Sequence, residues 1–428
     1  MSYDTQRRGT DPLADAPTRG IPVSGAARQR LMVSMLVANF FLFATYAGVI
    51  AILLPQQLAV LDEGSKIANL AIVTGTSSFF TLFAQPIVGA FSDRTRARLG
   101  RRSPWLLVGG VGGGLLTIVL QFAPGVFWIT VIWVAAQVLL NAFQGPLSAI
   151  IADRISRDGR ATASAFAGAG TAVGATVGVV LAGQLLAQLG VAYGLLGLGM
   201  IVVCVLFVVL NRDTDSRELP VGRFHWGAFI RGFWVDPRKH PDYAWAFAGR
   251  FVMVLGYQGV QAYQFYILTD YLGLAPADAG GVAGLLSLAS MVTLVLGTLV
   301  FGRLSDRLGR RKMFVFTASI VMAFGIAIPL LFPSVPAMII YSLIVGLGYG
   351  AYSAVDVALM IDVLPSQGDA GRDLGVLNVA TNIPQALTPV VAAVLLATFA
   401  GNYASIFAFA AAMVLLSSVL VFPIRSVR

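Results

Sequence analysis

Gly89-Ala90-Phe91-Ser92-Asp93-Arg94, followed by Leu99-Gly100-Arg101-Arg102, is the stretch that decides how this chain is read. It returns as Gly302-Arg303-Leu304-Ser305-Asp306-Arg307-Leu308-Gly309-Arg310-Arg311, with the two aspartates 213 residues apart. Two further matches keep nearly the same offset. Asn39-Phe40, Tyr46, Gly48 and Val49 align with Arg250-Phe251, Tyr257, Gly259 and Val260 at 211 residues, and Asp153 aligns with Asp362 at 209. Three nearly equal offsets imply a duplicated unit, each copy filling about half of the chain.

Both copies of the string lie between long apolar runs. A run of about 20 apolar residues crosses a bilayer as a helix, because its backbone groups find no water there and must pair within the segment. Twelve such runs are expected, at roughly 31–60, 67–91, 105–123, 126–152, 161–187, 190–211, 242–271, 277–303, 313–332, 335–363, 374–399 and 402–424. The composition agrees: the 428 residues are 57% hydrophobic and 11% charged, against about 25% charged in a soluble domain. The expected fold is therefore an all-α membrane protein, with twelve helices forming two pseudo-symmetric six-helix bundles at 31–211 and 242–424. Residues 1–30 read as a disordered polar tail and 425–428 as a short one. The linker at 212–241 carries Trp226, Phe229, Ile230, Phe233 and Trp234 at helical spacing. It reads as a helix lying on the membrane surface, or else as a plain linker with stray aromatics.

The charges sort by side. Of 29 Lys and Arg residues, 27 fall in the tails and in alternate loops. Only Lys66 lies on the opposite side, and only Arg250 lies within a span. The positive-inside rule then places both termini in the cytoplasm, in a multi-pass protein of the cell (inner) membrane. The net charge of +9 follows from that topology, and nucleic acid is not an expected partner. Several functions are excluded. Cys204 is the only cysteine, so there is no disulfide framework. His225 and His240 share one polar stretch, which leaves no multi-His metal site within the membrane. None of Lys66, Lys239 and Lys312 follows the Gly-Lys-Ser/Thr pattern of a P-loop. No metal and no cofactor are expected. No Ser/His pair, metal set or carboxylate pair at one depth points to an enzyme.

The duplicated string, in short loops between apolar spans, resembles the signature of the major facilitator superfamily. The resemblance covers the whole chain. It implies a carrier, expected as a monomer, that exposes a central site to each side in turn. It also implies a cytoplasmic gate. Asp93 and Asp306 would face helix N-termini of the opposite half, where free N–H groups and the helix dipole favour a carboxylate by about 0.3–1 kcal/mol. Arg94, Arg101, Arg307 and Arg310 would bond Asp153 and Asp362. The alternative is a set of ordinary basic loops. The longer loop through Ser103-Pro104-Trp105, with Asn141-Ala-Phe-Gln144-Gly145-Pro146 in span 4, is similar to the glycoside–pentoside–hexuronide cation symporters and the sucrose–proton symporters. Where those groups carry coupling acids, this chain has Gln85 before Pro86 and Gln137, which removes the basis for a sodium site in span 2.

Charges inside the apolar region cost about 2.5–3.5 kcal/mol each and mark pathways or paired sites. Arg250 and Asp356 stand out. They are expected at similar depth as an ion pair, either permanent or with a proton moving on and off Asp356. Asp270, near the outer end of span 7, reads as a wetted surface residue. The substrate-binding candidates are Asn39, Tyr46, Gln137, Asn141, Gln144, Tyr257, Gln258, Gln261, Tyr352, Asn378 and Asn382. Gln264, Gln385, Tyr341 and Tyr349 share these spans. Amides bond hydroxyl groups and aromatic faces stack on sugar C–H surfaces, although amides also hold spans together. Gly168, Gly170, Gly174 and Gly178 permit close helix approach, and Gly109, Gly110 and Gly112 to Gly114 read as packing residues. A Gly-Pro pair typical of the superfamily's exporters is missing from span 5, which favours import. The expected function is proton-linked uptake of a small solute, a sugar or glycoside. The alternative is efflux of a drug-like or amphipathic metabolite by proton antiport.

Overall fold

The computed structural model describes residues 23–218, 238–363 and 370–424. Within them the chain is helical, with no strand. The first six helices are α1 (Gly25–Leu61), α2 (Lys66–Arg94), α3 (Ser103–Phe122), α4 (Val126–Arg154), α5 (Arg160–Gln184) and α6 (Leu189–Leu210). The second six begin with α7, which runs Pro241–Ala262, breaks at Tyr263 and continues through Gln264–Tyr266 and Ile267–Tyr271. They end with α8 (Pro276–Leu308), α9 (Arg311–Leu331), α10 (Val335–Asp362), α11 (Ala370–Thr398) and α12 (Ala404–Leu420). Ten are long and apolar enough to cross a membrane. The other two are α7, broken and rich in polar side chains, and α12, only 17 residues long.

The packing repeats with the sequence. In the first half α1 packs on α5 and α6, α3 on α4 and α6, and α2 on α4. In the second half α7 packs on α11 and α12, α9 on α10 and α12, and α8 on α10. Adding six to each label converts one set into the other. Two seams join the halves, α2 with α11 and α5 with α8, and the same rule exchanges them. The molecule is therefore two pseudo-symmetric six-helix bundles.

Small residues set the closest approaches. A Cβ added at Gly170, Gly174 or Gly178 of α5 would run into the carbonyl oxygen of Leu36, Phe40 or Ala44 of α1. Gly183 and Gly280 make a similar backbone contact across the α5–α8 seam. Gly168 faces open space instead. On α3, Gly109 admits the α4 backbone, Gly113 admits the Leu140 side chain, Gly110 admits Cys204, and Gly114 admits Gly197 of α6.

Two boundaries differ from the periodicity reading. α1 starts at Gly25, inside the expected tail, because Leu31, Met32 and Met35 are buried and the Val23 N–H donates to the Arg154 carbonyl at 3.0 Å. α8 runs on to Leu308 and stops where Gly309 turns left-handed at φ 62°. Gly100, its counterpart in the first copy, has φ 86°. A side chain there is strained, so the repeated Leu-Gly of the string is a chain reversal. The proposed surface helix around Trp226–Trp234 lies outside the described residues.

Candidate functional site

Basic loops gather at one end of the bundle, called the basic end below; the other is the far end. In the first copy of the string, Asp93 and Arg94 close the last turn of α2, and the chain reverses at Gly100 to deliver Arg101 and Arg102 beneath α4. Arg101 contacts the Asp153 carboxylate at 2.6 Å. Arg102 bridges two acids, Asp93 at 2.5 Å and Asp153 at 3.0 Å, and also bonds the Ser92 hydroxyl at 3.1 Å. The Asp93 carboxylate thus rests on an arginine of its own half, with its side chain 57% exposed. Sequence reading passed over Arg102, although its side chain is only 7% exposed. Nothing in a run of arginines tells which one turns inward. Arg307 and Arg310 make no ion pair among the described residues. The side chains of Asp306 and Asp362 lie outside that set. Arg102→Ala is expected to cost about 3 kcal/mol, since it strands the mostly buried Asp153 with one partner. Thermal unfolding in detergent measures this.

Deeper in the second half, α7 brings Arg250 to Asp356 of α10. The Arg250 Nε lies 3.5 Å from the carboxylate, which also accepts the Tyr352 hydroxyl at 3.1 Å. Asp356 is 5% exposed. Tyr352 therefore serves the carboxylate rather than an open surface. From Tyr352 a stack of rings leads along α10 to α7. Tyr349 lies over Tyr257 with centroids 4.1 Å apart and planes at 7°, and Tyr352 follows Tyr349 at 6.4 Å. The Gln261 amide donates to the Tyr257 hydroxyl at 3.2 Å.

The first half has a counterpart. The Asn141 amide of α4 donates to the Tyr46 hydroxyl of α1 at 3.0 Å and to the Gln137 carbonyl at 2.9 Å. Tyr46–Asn141 and Tyr257–Tyr349 both join the first helix of a half to the fourth, so the duplication preserves a contact as well as a motif. Asn39, which aligns with Arg250, turns onto its own helix and donates to the Met35 carbonyl at 2.8 Å. Gln144, Gln258 and Asn382 are half-buried and make no side-chain hydrogen bond among the described residues. The Asn378 side chain lies outside that set.

The far end is shut by contacts between the halves. Lys66 of α2 pairs with Asp270 of α7 at 2.8 Å, and Tyr403 and Thr269 donate to the same carboxylate, each at 2.8 Å. Tyr266 donates to the Pro55 carbonyl at 2.9 Å, and Tyr263 to the Ile67 and Pro389 carbonyls at 3.2 and 3.0 Å. Asp270 is exposed, as expected, and is also a hub between the halves. The sequence could not show this, because its partner Lys66 is 204 residues away. The partly exposed pair contributes about 1 kcal/mol. Lys66→Gln is expected to lower the melting temperature slightly at low salt and to make no difference at 1 M salt, where screening has already weakened the pair.

Two helical bundles, related by an internal duplication and each holding polar residues within an apolar shell, have the architecture of a membrane transporter. The chain belongs to the MFS/sugar transport protein family, whose pattern matches residues 30–367. It is similar to the MFS transporter asaE of Aspergillus flavus, 24% identical over 345 residues that cover 79% of this chain and 73% of that protein. The Fujikurins efflux protein of Gibberella fujikuroi is 22% identical over 84% of this chain and 74% of its own length. The sucrose transport protein SUC4 of Arabidopsis thaliana is 31% identical over 98 residues, 19% of each chain. Among solved structures, the nucleoside transporter NupG superposes with a TM-score of 0.75 at 10% identity, covering 92% of this chain and 99% of that one. A D-xylose-proton symporter gives 0.69 at 13% identity, covering 93% and 97%. At such identities the structures report the shared fold. The protein is a multi-pass membrane transporter of a small solute, and not an enzyme.

Proposed function

We propose that this carrier imports a neutral polyhydroxylated solute, a sugar or glycoside, together with a proton. The observation that supports it best is the continuous arrangement Gln261–Tyr257–Tyr349–Tyr352–Asp356–Arg250. It places an amide and aromatic rings, groups suited to a sugar, in line with a carboxylate that has one cationic and one hydroxyl partner. The half-buried amides of Gln144, Gln258 and Asn382 add donors and acceptors with no side-chain hydrogen bond among the described residues. Protonating Asp356 would release Arg250, and a solute that binds the two states unequally would shift their balance. In this reading the basic end is cytoplasmic by the positive-inside rule, the membrane is the cell membrane, and the working unit is a monomer. Asp93, Asp153, Arg101 and Arg102 hold the first-half gate together, while Asp93 exchanges Arg102 for a helix N-terminus of the opposite half when the basic end closes.

The deciding experiment is uptake into proteoliposomes with a series of mono- and disaccharides, with and without an inward proton gradient. Saccharide-specific, gradient-driven uptake is expected, and Asp356→Asn is expected to abolish its pH dependence. Unchanged pH dependence in that variant would end the proton role. A second reading is efflux of an amphipathic metabolite by proton antiport. It draws on the relatives from Aspergillus and Gibberella, which align along most of the chain where the sucrose carrier aligns along a fifth. Stabilisation by lipophilic compounds and by no saccharide would favour it.

A further inference from the structure

We propose that an anionic phospholipid is held at the basic end of the second half, with an acyl chain in a crevice between α8, α9 and α10 and its phosphate on the arginines of the α8–α9 turn. The crevice encloses about 180 Å³ and is lined by Phe301, Phe314, Thr317, Val321, Leu347 and Ala351. Gly348 forms part of its wall, where any larger residue would run into Met322. The surrounding surface is apolar and faces outward: Leu308 and Met313 are 57% and 51% exposed. Phe314 lies three residues inside α9 and Val321 ten. At 1.5 Å per residue the crevice opens at the membrane surface and runs about 10 Å into the hydrocarbon. That is the shape and the direction of an acyl chain.

The charges at its mouth supply the other half of the argument. Arg303, Arg307 and Arg310 are exposed and make no ion pair or side-chain hydrogen bond among the described residues. In the first copy Arg101, the counterpart of Arg310, is engaged with Asp153. Guanidinium groups bind phosphate through paired charge-assisted hydrogen bonds. Lys312 fixes the turn by donating to the Ile424 carbonyl. In the first copy the equivalent aromatic residue is tied down by other contacts. Counting from the paired arginines, Phe314 corresponds to Trp105. That indole lies over Phe91 at 6.3 Å and donates to the Thr95 hydroxyl at 2.7 Å. At the second copy an apolar slot thus lies beside exposed positive charge on Arg303, Arg307 and Arg310.

The proposal is independent of the transported solute. The test uses the purified full chain in mild detergent, read by melting temperature and by native mass spectrometry. Phosphatidylglycerol is expected to raise the melting temperature and to persist as a one-to-one adduct, while phosphatidylcholine does neither. Thr317→Trp, at an exposed position, fills the crevice and is expected to remove the adduct. Arg307→Gln and Arg310→Gln are each expected to weaken it about fivefold, as for a basic residue beside an anionic lipid surface. Equal effects from phosphatidylcholine or phosphatidylethanolamine would overturn the anionic requirement. Stabilisation by inorganic phosphate alone, or an adduct that survives Thr317→Trp, would overturn the crevice as the seat of the lipid.

Discussion

Gly174→Val is expected to leave little folded protein, whereas Gly168→Val, six residues earlier on the same helix, is expected to behave like the parent chain. At Gly174 the α5 backbone lies against the Phe40 carbonyl of α1, and the nearest atoms a side chain would meet are all backbone. No rotamer change can relieve that clash, so the two helices must separate. Overpacking in a filled core costs about 1–3 kcal/mol where side chains can yield. Here the backbone must move, and Gly170 and Gly178 above and below lose their contacts as well. The cost should reach or pass the upper end of that range. Gly168 has no neighbouring atom within 4 Å, so its substitution carries only the small helix-propensity change of a β-branched residue. The measurement is the monodisperse fraction after extraction together with the melting temperature. Equal behaviour of the two variants would mean that α1 and α5 do not approach as described.

Asp356→Ala is expected to be the most damaging change at the deeper site. It removes the anion beside Arg250, whose side chain is only 19% exposed. Breaking a buried pair by removing one partner costs about 3–5 kcal/mol, because the remaining charge stays desolvated. Arg250→Leu should be comparably harmful for the same reason. The double variant Arg250→Leu with Asp356→Leu strands no charge and is expected to regain most of the lost stability, since apolar replacements for a buried pair are often neutral. Uptake separates the two roles of the pair. Recovery of stability without recovery of transport is the expected result and assigns the pair to the transport cycle. Recovery of both would reduce it to a permanent brace between α7 and α10.

The tyrosine stack shows where reading along the chain stops. Tyr257, Tyr349 and Tyr352 are all visible in the sequence as polar aromatics in apolar spans. Their order is not, because Tyr349 and Tyr352 belong to a helix about 90 residues beyond Tyr257. The same holds for Arg102. It is one of five arginines in a nine-residue stretch, and the fold alone selects it to lie between Asp93 and Asp153. Asp270 was legible in part. Its position near a span end suggests water, and it is exposed, but that Lys66 and Tyr403 converge on it from two other segments of chain is visible only in the fold.

What the sequence determined by itself was the architecture. Water is absent from the bilayer core, so apolar run length dictates helices. The uneven distribution of charge orders the loops, and a repeated string with three near-equal offsets makes the second bundle a copy of the first. Those are properties of single segments and their spacing, and they can be read without coordinates. The tertiary structure decided which polar groups meet. A side chain with several possible partners is committed only when helix rotation and close approach, here governed by Gly170, Gly174 and Gly178 against α1, bring one of them within bonding distance.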